Sequence, residues 1–331
     1  MSSTATESDA EHVAALRARI DEALPALPPD AEPAVLYEPA RYVLEGGGKR
    51  VRPTLLLLVA EAYGRSADAA LPAALAVEVF HNFTLVHDDI MDASDERRGR
   101  PTVHVKWDVG TAILVGDLLM GRSYELLGEV PDTPHDALYE VFHPMVTQLC
   151  SGQALDASFE DEPAVSVDAY LDMIDGKTAA LLSAALELGA VVGNAPAAHR
   201  ERLRLAGRLV GRAFQVRDDL LDVIADGDDW GKAVGGDLVN GKKTYVTLRA
   251  LERADGAEYD WFARLSRDGG IPPSDVDEAR RRMDRLGVFE DARSAVERYT
   301  DRARAHFEVL PDGRAQRALR WLLSELEGRE H

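Results

Sequence analysis

The sequence predicts an all-α fold, and composition and patterning both lead to that prediction. Ala, Leu, Arg and Glu are all abundant among the 331 residues, whereas aromatic residues make up only 6% of them. These four residue types favour helix. No stretch alternates apolar and polar residues with the β-branched enrichment typical of strands, so a sheet is not expected.

The predicted helices follow one another with short breaks. Residues 1–10 are polar and acidic, and we expect them to be disordered. Leu27-Pro28-Pro29 and Gly46-Gly47-Gly48 end the first two helices, and Pro53 suits a helix start. The predicted helices cover residues 11–26, 34–45, 55–63, 67–91, 111–129, 135–160, 167–191 and 197–225, with shorter ones after Gly241. No Gly/Ser linker divides the chain, so residues 11–331 are expected to form a single domain.

The charge balance restricts the partners that the protein can have. The formal net charge is −20, which argues against nucleic acid and anionic membranes as partners. Arg outnumbers Lys by 32 to 6. High acidity with few lysines suggests adaptation to a salt-rich cytoplasm. Greater stability without molar salt than with it would contradict that hypothesis.

Features related to location favour the cytoplasm. Cys150 is the only cysteine, which excludes an internal disulfide and fits a reducing compartment. The first ten residues do not have the composition of a signal peptide. The longest apolar runs are too short, or too polar at their flanks, to predict a transmembrane segment.

Two copies of one acidic motif occur within apolar, helical stretches. Motif 1 is Asp88-Asp89-Ile90-Met91-Asp92, and motif 2 is Asp218-Asp219-Leu220-Leu221-Asp222. In a helix, the first and last Asp of each motif lie on the same face. Carboxylates crowded in apolar surroundings favour a hard divalent cation such as Mg²⁺, which also binds phosphate oxygens. The alternative, a solvated acidic face, is less favoured because the flanking residues are apolar.

Cationic loops accompany both motifs. Their common feature is a Lys or Arg beside glycine, and five of the six lysines belong to this set: Gly46-Gly47-Gly48-Lys49-Arg50-Val51-Arg52-Pro53, Glu96-Arg97-Arg98-Gly99-Arg100-Pro101, Gly176-Lys177-Thr178, Gly231-Lys232 and Gly241-Lys242-Lys243-Thr244. The first loop precedes a helix start, which favours an anion, although it lacks the spacing of a P-loop. Any one loop could be a solvated turn. Together they indicate a site for a phosphorylated substrate, held by ion pairs and by metal.

Motifs 1 and 2 and these loops, in this order, resemble the trans-isoprenyl diphosphate synthases, the polyprenyl synthetase family. The match spans residues of about 40 to 245. It implies a helical bundle of the isoprenoid-synthase type around a deep central cavity, with the two motifs facing each other across its mouth, and a homodimer. The implied reaction joins isopentenyl diphosphate to an allylic diphosphate and releases pyrophosphate.

The resemblance also implies roles for individual residues. Asp88 and Asp92 would bind two Mg²⁺ ions and Asp218 a third, with Asp89 and Asp222 in support. Arg97, Lys177 and Lys232 would hold the allylic diphosphate. Lys49, Arg52, His81 and Arg98 would hold isopentenyl diphosphate. Thr178 and Gln215 would present oxygen dipoles to the allylic cation, and Lys242 would help to close the site.

Product length is expected to depend on Phe83, five residues before Asp88. One helical turn below the metals, its ring could form the floor of the cavity beside the small Thr84. This arrangement resembles the geranylgeranyl type, with farnesyl diphosphate as the nearest alternative. Phe83 could also be an ordinary core residue. For His87, a hydrogen-bonded core position is preferred over a ligand role.

Two other classes of function remain open from the sequence. A terpene cyclase would share the fold and motif 1, but the Gly-Lys-Arg-Val-Arg loop and the complete motif 2 argue against it. A non-catalytic synthase subunit is disfavoured because both motifs are intact.

Overall fold

The computed structural model describes residues 2–27, 32–162, 164–225, 235–267 and 269–327. Within these ranges the first eight helices are α1 (Ser2–Ala23), α2 (Ala34–Leu44), α3 (Val51–Ala62), α4 (Ala67–Met91), α5 (Val103–Lys106), α6 (Val109–Gly128), α7 (His135–Asp161) and α8 (Val167–Ile174). The remaining eight are α9 (Ala180–Val192), α10 (Ala197–Ile224), α11 (Gly236–Val239), α12 (Tyr245–Arg253), α13 (Gly256–Arg267), α14 (Val276–Arg285), α15 (Val288–Phe307) and α16 (Arg314–Glu327). The all-α prediction is confirmed.

The chain divides into two compact units. Unit 1 comprises Met1–Phe142, Ala184–Leu203 and Val309–Gly328, and unit 2 comprises His143–Ser183 and Arg204–Glu308. In unit 1, α4 packs against α3 and α6, and α16 packs against α1 and α3. In unit 2, α12 packs against α8, α13 and α15 around a common apolar core.

Helix α4 is the apolar centre of unit 1. Its N-cap Ser66 accepts a hydrogen bond from the Ala69 amide, which satisfies one of the unpaired donors of the first turn. Within the described ranges it is the one helix long and apolar enough to cross a membrane, and 72% of its most apolar stretch is buried. Burial inside the protein accounts for its hydropathy, so α4 is a core helix.

The structure differs from the sequence prediction most clearly at three places. Helix α1 begins at Ser2, within the stretch 1–10 that the sequence predicts to be disordered, and at residue 9 the buried Asp9 lies 3.7 Å from Arg317 of α16. Glu96–Arg97 and Arg100–Pro101 form a small antiparallel β-hairpin, here β1 and β2. The predicted helix 167–191 contains a short π-helical segment at Asp175–Ala179, which is called the π-turn below.

Candidate active site

Both acidic motifs lie at the C-terminal ends of long helices. Motif 1 completes α4, with Asp92 as its C-cap, and motif 2 occupies the last two turns of α10. The helix dipole is negative at this end and disfavours additional anions. Each motif therefore requires nearby cationic charge.

Arg97 supplies part of that charge to motif 1. Its Nε donates to Asp89 Oδ1 at 2.6 Å, and only 5% of Asp89 is exposed. Burial raises the pKa of Asp89, and the attraction of Arg97 opposes that rise. The middle carboxylate thus serves an ion pair, whereas Asp88 is half-buried and Asp92 exposed at the helix end.

The β-hairpin joins motif 1 to the glycine loop. Arg98 and Gly99 form its turn with φ angles of 55° and 70°, which is the backbone of a tight two-residue hairpin turn. Arg97 binds Asp89 on one side of the turn, and Arg98 Nη1 donates to the Gly47 carbonyl on the other. A cleft beside the hairpin has Asp89, Arg97 and Arg98 among its lining residues.

Arg52 and His81 form a contact pair beside this loop, with 3.2 Å between Arg52 Nη1 and His81 Nε2. A guanidinium can only donate, so His81 Nε2 accepts and the imidazole is neutral. Burial, followed by the charges of Arg52, Arg98, Arg97 and Arg50, holds the pKa of His81 well below its ordinary value. The pocket is rich in cations, which suits a diphosphate.

Arg50 has a structural task that distinguishes it from its cationic neighbours. It adopts a left-handed φ of 49° at the N-cap of α3 and is 4% exposed. Its Nη1 donates to buried Glu78 at 2.6 Å and its Nε donates to Asp21 at 2.7 Å. The preceding residue, Lys49, is exposed. The ion pairs of Arg50 therefore anchor the loop that carries Lys49 and Arg52.

In unit 2, glycines position the π-turn that carries Lys177 and Thr178. A Cβ on Gly152 of α7 would lie 2.2 Å from the Lys177 amide nitrogen, and one on Gly176 would lie 2.8 Å from Gly152 Cα. The two backbones therefore touch, which requires glycine at both positions. Lys177 Nζ then lies 2.5 Å from Asp156 Oδ2, one turn along α7.

A second contact fixes the start of the same turn. Asp175 accepts hydrogen bonds from Arg212 Nε and Nη2 at 2.6 and 2.7 Å and from Arg208 Nε at 2.6 Å. Both arginines belong to α10, which also carries motif 2. The π-turn is thus attached to α10 immediately before Lys177.

A chain of hydrogen bonds connects Thr178 to motif 2. Thr178 Oγ1 donates to Gln215 Oε1 at 3.1 Å, and Gln215 Nε2 donates to Asp219 Oδ1 at 3.0 Å. Asp219 Oδ2 accepts from the Tyr170 hydroxyl at 2.5 Å and from the Tyr245 amide at 2.8 Å. Burial raises the pKa of Asp219 to about 7, and the three donors oppose this rise. The Gln215 amide is therefore held in one orientation.

The remaining predicted residues of unit 2 are placed as follows. Asp222 is buried and its Oδ2 accepts from the Asp237 amide at 3.0 Å, at the start of α11. Lys242 is exposed, whereas Lys243 Nζ donates to the Phe159 carbonyl. Lys232 lies outside the described residues. Asp218 is half-buried on α10.

The carboxylates of motif 1 are donors of the type that Mg²⁺ takes. Among the described residues, no three His, Cys, Asp or Glu side chains converge as a ready-made metal cage. Mg²⁺ is ordinarily held by one or two carboxylates together with waters and substrate phosphates. Asp88 and Asp92, one helical turn apart at the end of α4, offer that kind of partial shell.

Phe83 and His87 lie on α4 below motif 1. Phe83 is 8% exposed. His87 Nε2 lies 3.3 Å from the Ile113 carbonyl, as its predicted hydrogen-bonded position required. Sequence reasoning missed Asp156, Tyr170 and the tight contact at Gly152, because none of them belongs to a recognisable motif; their roles depend on contacts distant in sequence.

Comparison with known proteins gives consistent matches. A family model described as polyprenyl synthetase matches residues 33–282. A geranylgeranyl diphosphate synthase of Methanosarcina mazei is 39% identical over 88% of this chain and 89% of its own. A geranylgeranyl pyrophosphate synthetase structure from Pyrococcus horikoshii Ot3 has a TM-score of 0.90 at 38% identity, covering 97% and 99% of the two chains. A polyprenyl synthase from Caulobacter crescentus CB15, complexed with calcium and isoprenyl diphosphate, has a TM-score of 0.83 at 30% identity, covering 98% and 96%.

Proposed function

We propose that this chain, which belongs to the polyprenyl synthetase family and is a prenyltransferase, condenses isopentenyl diphosphate with an allylic diphosphate and releases pyrophosphate. The observation that carries the proposal is the hairpin contact: Arg97 binds the acidic end of α4 while the adjacent Arg98 binds the glycine loop. The hairpin thus joins an acidic helix end, which could bind metal, to a cationic pocket. A reaction between two diphosphates requires both.

Residues of unit 1 would hold isopentenyl diphosphate. Arg52 and Arg98 would donate to its phosphate oxygens, with exposed Lys49 adding a further positive charge. Neutral His81 accepts from Arg52 and so fixes the guanidinium in place. These groups are preorganised by the Arg50–Glu78 ion pair beneath the loop.

Ionisation of the allylic diphosphate would depend on cations around the departing group. Bound divalent cations, proposed as three Mg²⁺ ions held by Asp88, Asp92 and Asp218, would neutralise the charge that develops on it. Arg97, Lys177 and Lys232 would add direct ion pairs to the phosphate oxygens. Thr178 donates its proton to Gln215, so its oxygen lone pairs remain to face the allylic carbon. Lys242 would help to close the site.

Geranylgeranyl diphosphate is the proposed main product. Phe83 lies five residues before Asp88 and is nearly buried, which suits a floor one turn below the metals. The Thr84 hydroxyl donates to the His81 carbonyl at 2.8 Å, so its proton is not available to a polar group in the cavity. Farnesyl diphosphate would be the product if the floor lay higher.

We also propose a homodimer in the cytoplasm. Val109, Ile113 and Leu114 form an apolar patch on α6 and are 48%, 44% and 59% exposed. On a protein with a net charge of −20, such a patch is costly unless covered. A second copy, with the same patch, is the partner that suits it.

The function is tested by incubating the purified protein with Mg²⁺, isopentenyl diphosphate and each allylic diphosphate in turn, and measuring product chain length. Isopentenyl diphosphate should be consumed, and a twenty-carbon product should predominate. Asp88→Asn should abolish turnover while leaving the melting temperature nearly unchanged. Cyclised products formed without isopentenyl diphosphate would instead indicate a terpene cyclase.

A further inference from the structure

Helices α4 and α6 make an unusually close contact where His87 meets Gly116. A Cβ added to Gly116 would lie 2.1 Å from His87 Nε2 and 2.4 Å from His87 Cδ2. Real Cβ atoms do not approach this closely, so the imidazole occupies space that only glycine leaves open. The atoms in conflict belong to a side chain, so a larger residue at position 116 would displace the ring rather than the helix backbone.

The imidazole is held in this space by a hydrogen bond. The Ile113 carbonyl, three residues before Gly116 on α6, lies 3.3 Å from His87 Nε2 and accepts its proton. The ring is therefore fixed on one side by α6.

The other side of the imidazole contacts Phe83. The two ring centroids are 4.9 Å apart with an interplanar angle of 71°, an edge-to-face arrangement. Phe83 meets Phe80 in the same manner at 5.1 Å, and fully buried Phe80 meets Phe142 at 5.2 Å. Phe83 is thus clamped between a ring anchored to α6 and a ring anchored in the core.

We propose that His87 is a positioning residue for product length, and that Gly116 is the seat that lets it act. This inference rests on the proposed function, in which Phe83 is the floor of the product cavity. A floor stops chain growth only while its ring stays across the path of the growing tail. His87 restricts the Phe83 ring from the side of motif 1, and Gly116 allows His87 to reach it.

The inference predicts a change in product distribution with little change in substrate binding. An aromatic edge contact stabilises one ring position by the equivalent of roughly a three- to tenfold population change. His87→Ala should therefore raise the share of products longer than the main one by about threefold or more. Gly116→Ala should shift the distribution in the same direction, with KM for isopentenyl diphosphate unchanged.

Gly121→Ala is the matched control, because Gly121 lies on the same helix as Gly116 and a Cβ at Gly121 would meet no atom within 4 Å. It should retain the wild-type distribution, with size-exclusion chromatography confirming an unchanged oligomer. The double variant Gly116→Ala/His87→Ala should equal His87→Ala alone, since the added methyl then has no ring to displace. Were Gly116→Ala to misfold, His87→Leu, which keeps bulk without the hydrogen bond, carries the same expectation.

Phe83→Ala distinguishes the floor role of Phe83 from the positioning role of His87. If it lengthens the product while His87→Ala and Gly116→Ala do not, the floor stands and the positioning role of His87 is overturned. If Phe83→Ala itself leaves the distribution unchanged, the floor fails, and the inference fails with it. Lengthening by all three variants, with non-additivity in the double variant, supports the inference.

Discussion

Tyr170 donates its phenolic proton to Asp219 Oδ2 across 2.5 Å, so a residue of α8 holds the middle carboxylate of motif 2 in place. Both side chains are buried, at 3% and 2% exposure. Asp219 in turn binds the Gln215 amide, which accepts from Thr178. Tyr170 is therefore the first member of a chain that ends at a proposed catalytic hydroxyl.

Tyr170→Phe should weaken catalysis without weakening substrate capture. Loss of one donor leaves buried Asp219 less satisfied, which we expect to lower stability by about 1–3 kcal/mol. Asp219 is then held less firmly against the Gln215 amide that it orients, which should lower kcat while KM for isopentenyl diphosphate, bound in unit 1, stays constant. Steady-state kinetics and denaturant unfolding measure both. Tyr259→Phe, at an exposed tyrosine, is the control; equal kinetics in the two variants would contradict the relay.

Glu78→Gln should destabilise the protein strongly. It removes the buried partner of Arg50 and leaves only the half-exposed Asp21, and breaking a buried ion pair in this way costs about 3–5 kcal/mol. Urea unfolding should show the loss as a lower midpoint. Glu125→Gln, which removes an exposed pair with Arg122, should cost less than about 1 kcal/mol. Comparable losses in the two variants would mean that the Arg50 pair does not anchor the loop.

His81 should make stability depend on pH in the weakly acidic range. Its pKa is lowered in the folded protein, so below about 6.5 the unfolded chain binds more protons. Stability contributed by neutral His81 is therefore present above about pH 6.5 and is lost as pH falls below it. Melting temperatures in phosphate-free buffers should decline less steeply for His81→Gln than for the wild type. Parallel curves would exclude this source of acid sensitivity.

Leu114→Glu should convert the proposed dimer to a monomer. A carboxylate in the centre of a covered apolar patch would remain desolvated and unpaired in both copies. Light scattering coupled to size-exclusion chromatography measures the mass directly. Val35→Glu, at a residue that is 60% exposed on α2, provides a matched control and should leave the mass unchanged. A dimer that persists in Leu114→Glu would place the interface elsewhere.

Local periodicity was sufficient to predict most of the fold. The predicted helix 67–91 agrees with α4, and the predicted helix 197–225 ends one residue beyond α10, because apolar spacing and flanking breakers define these elements within the sequence itself. The π-turn at Asp175–Ala179 could not be predicted, since it follows from backbone contact between Gly152 and Gly176. The hairpin escaped prediction because two-residue strands carry no periodicity.

The candidate site likewise has features that the sequence predicts and others that only the structure shows. Charge and spacing identified the motifs and the cationic loops, but they could not distinguish Arg50 from Lys49 and Arg52. Only the structure shows that Arg50 is directed to Glu78 and Asp21. Likewise, motif 2 suggests three similar carboxylates, whereas Asp219 and Asp222 serve internal hydrogen bonds and Asp218 is the half-buried member proposed to bind metal.

Arg50 also has a consequence for how this sequence can diverge. Its left-handed backbone, at a φ of 49°, would suit glycine better, yet glycine there would leave buried Glu78 without its ion-pair partner. A substitution at position 50 or at position 78 alone would therefore cause a large loss of stability. Among homologous sequences, we expect positions 50 and 78 to covary, with the arginine and the glutamate either kept together or replaced together by uncharged residues.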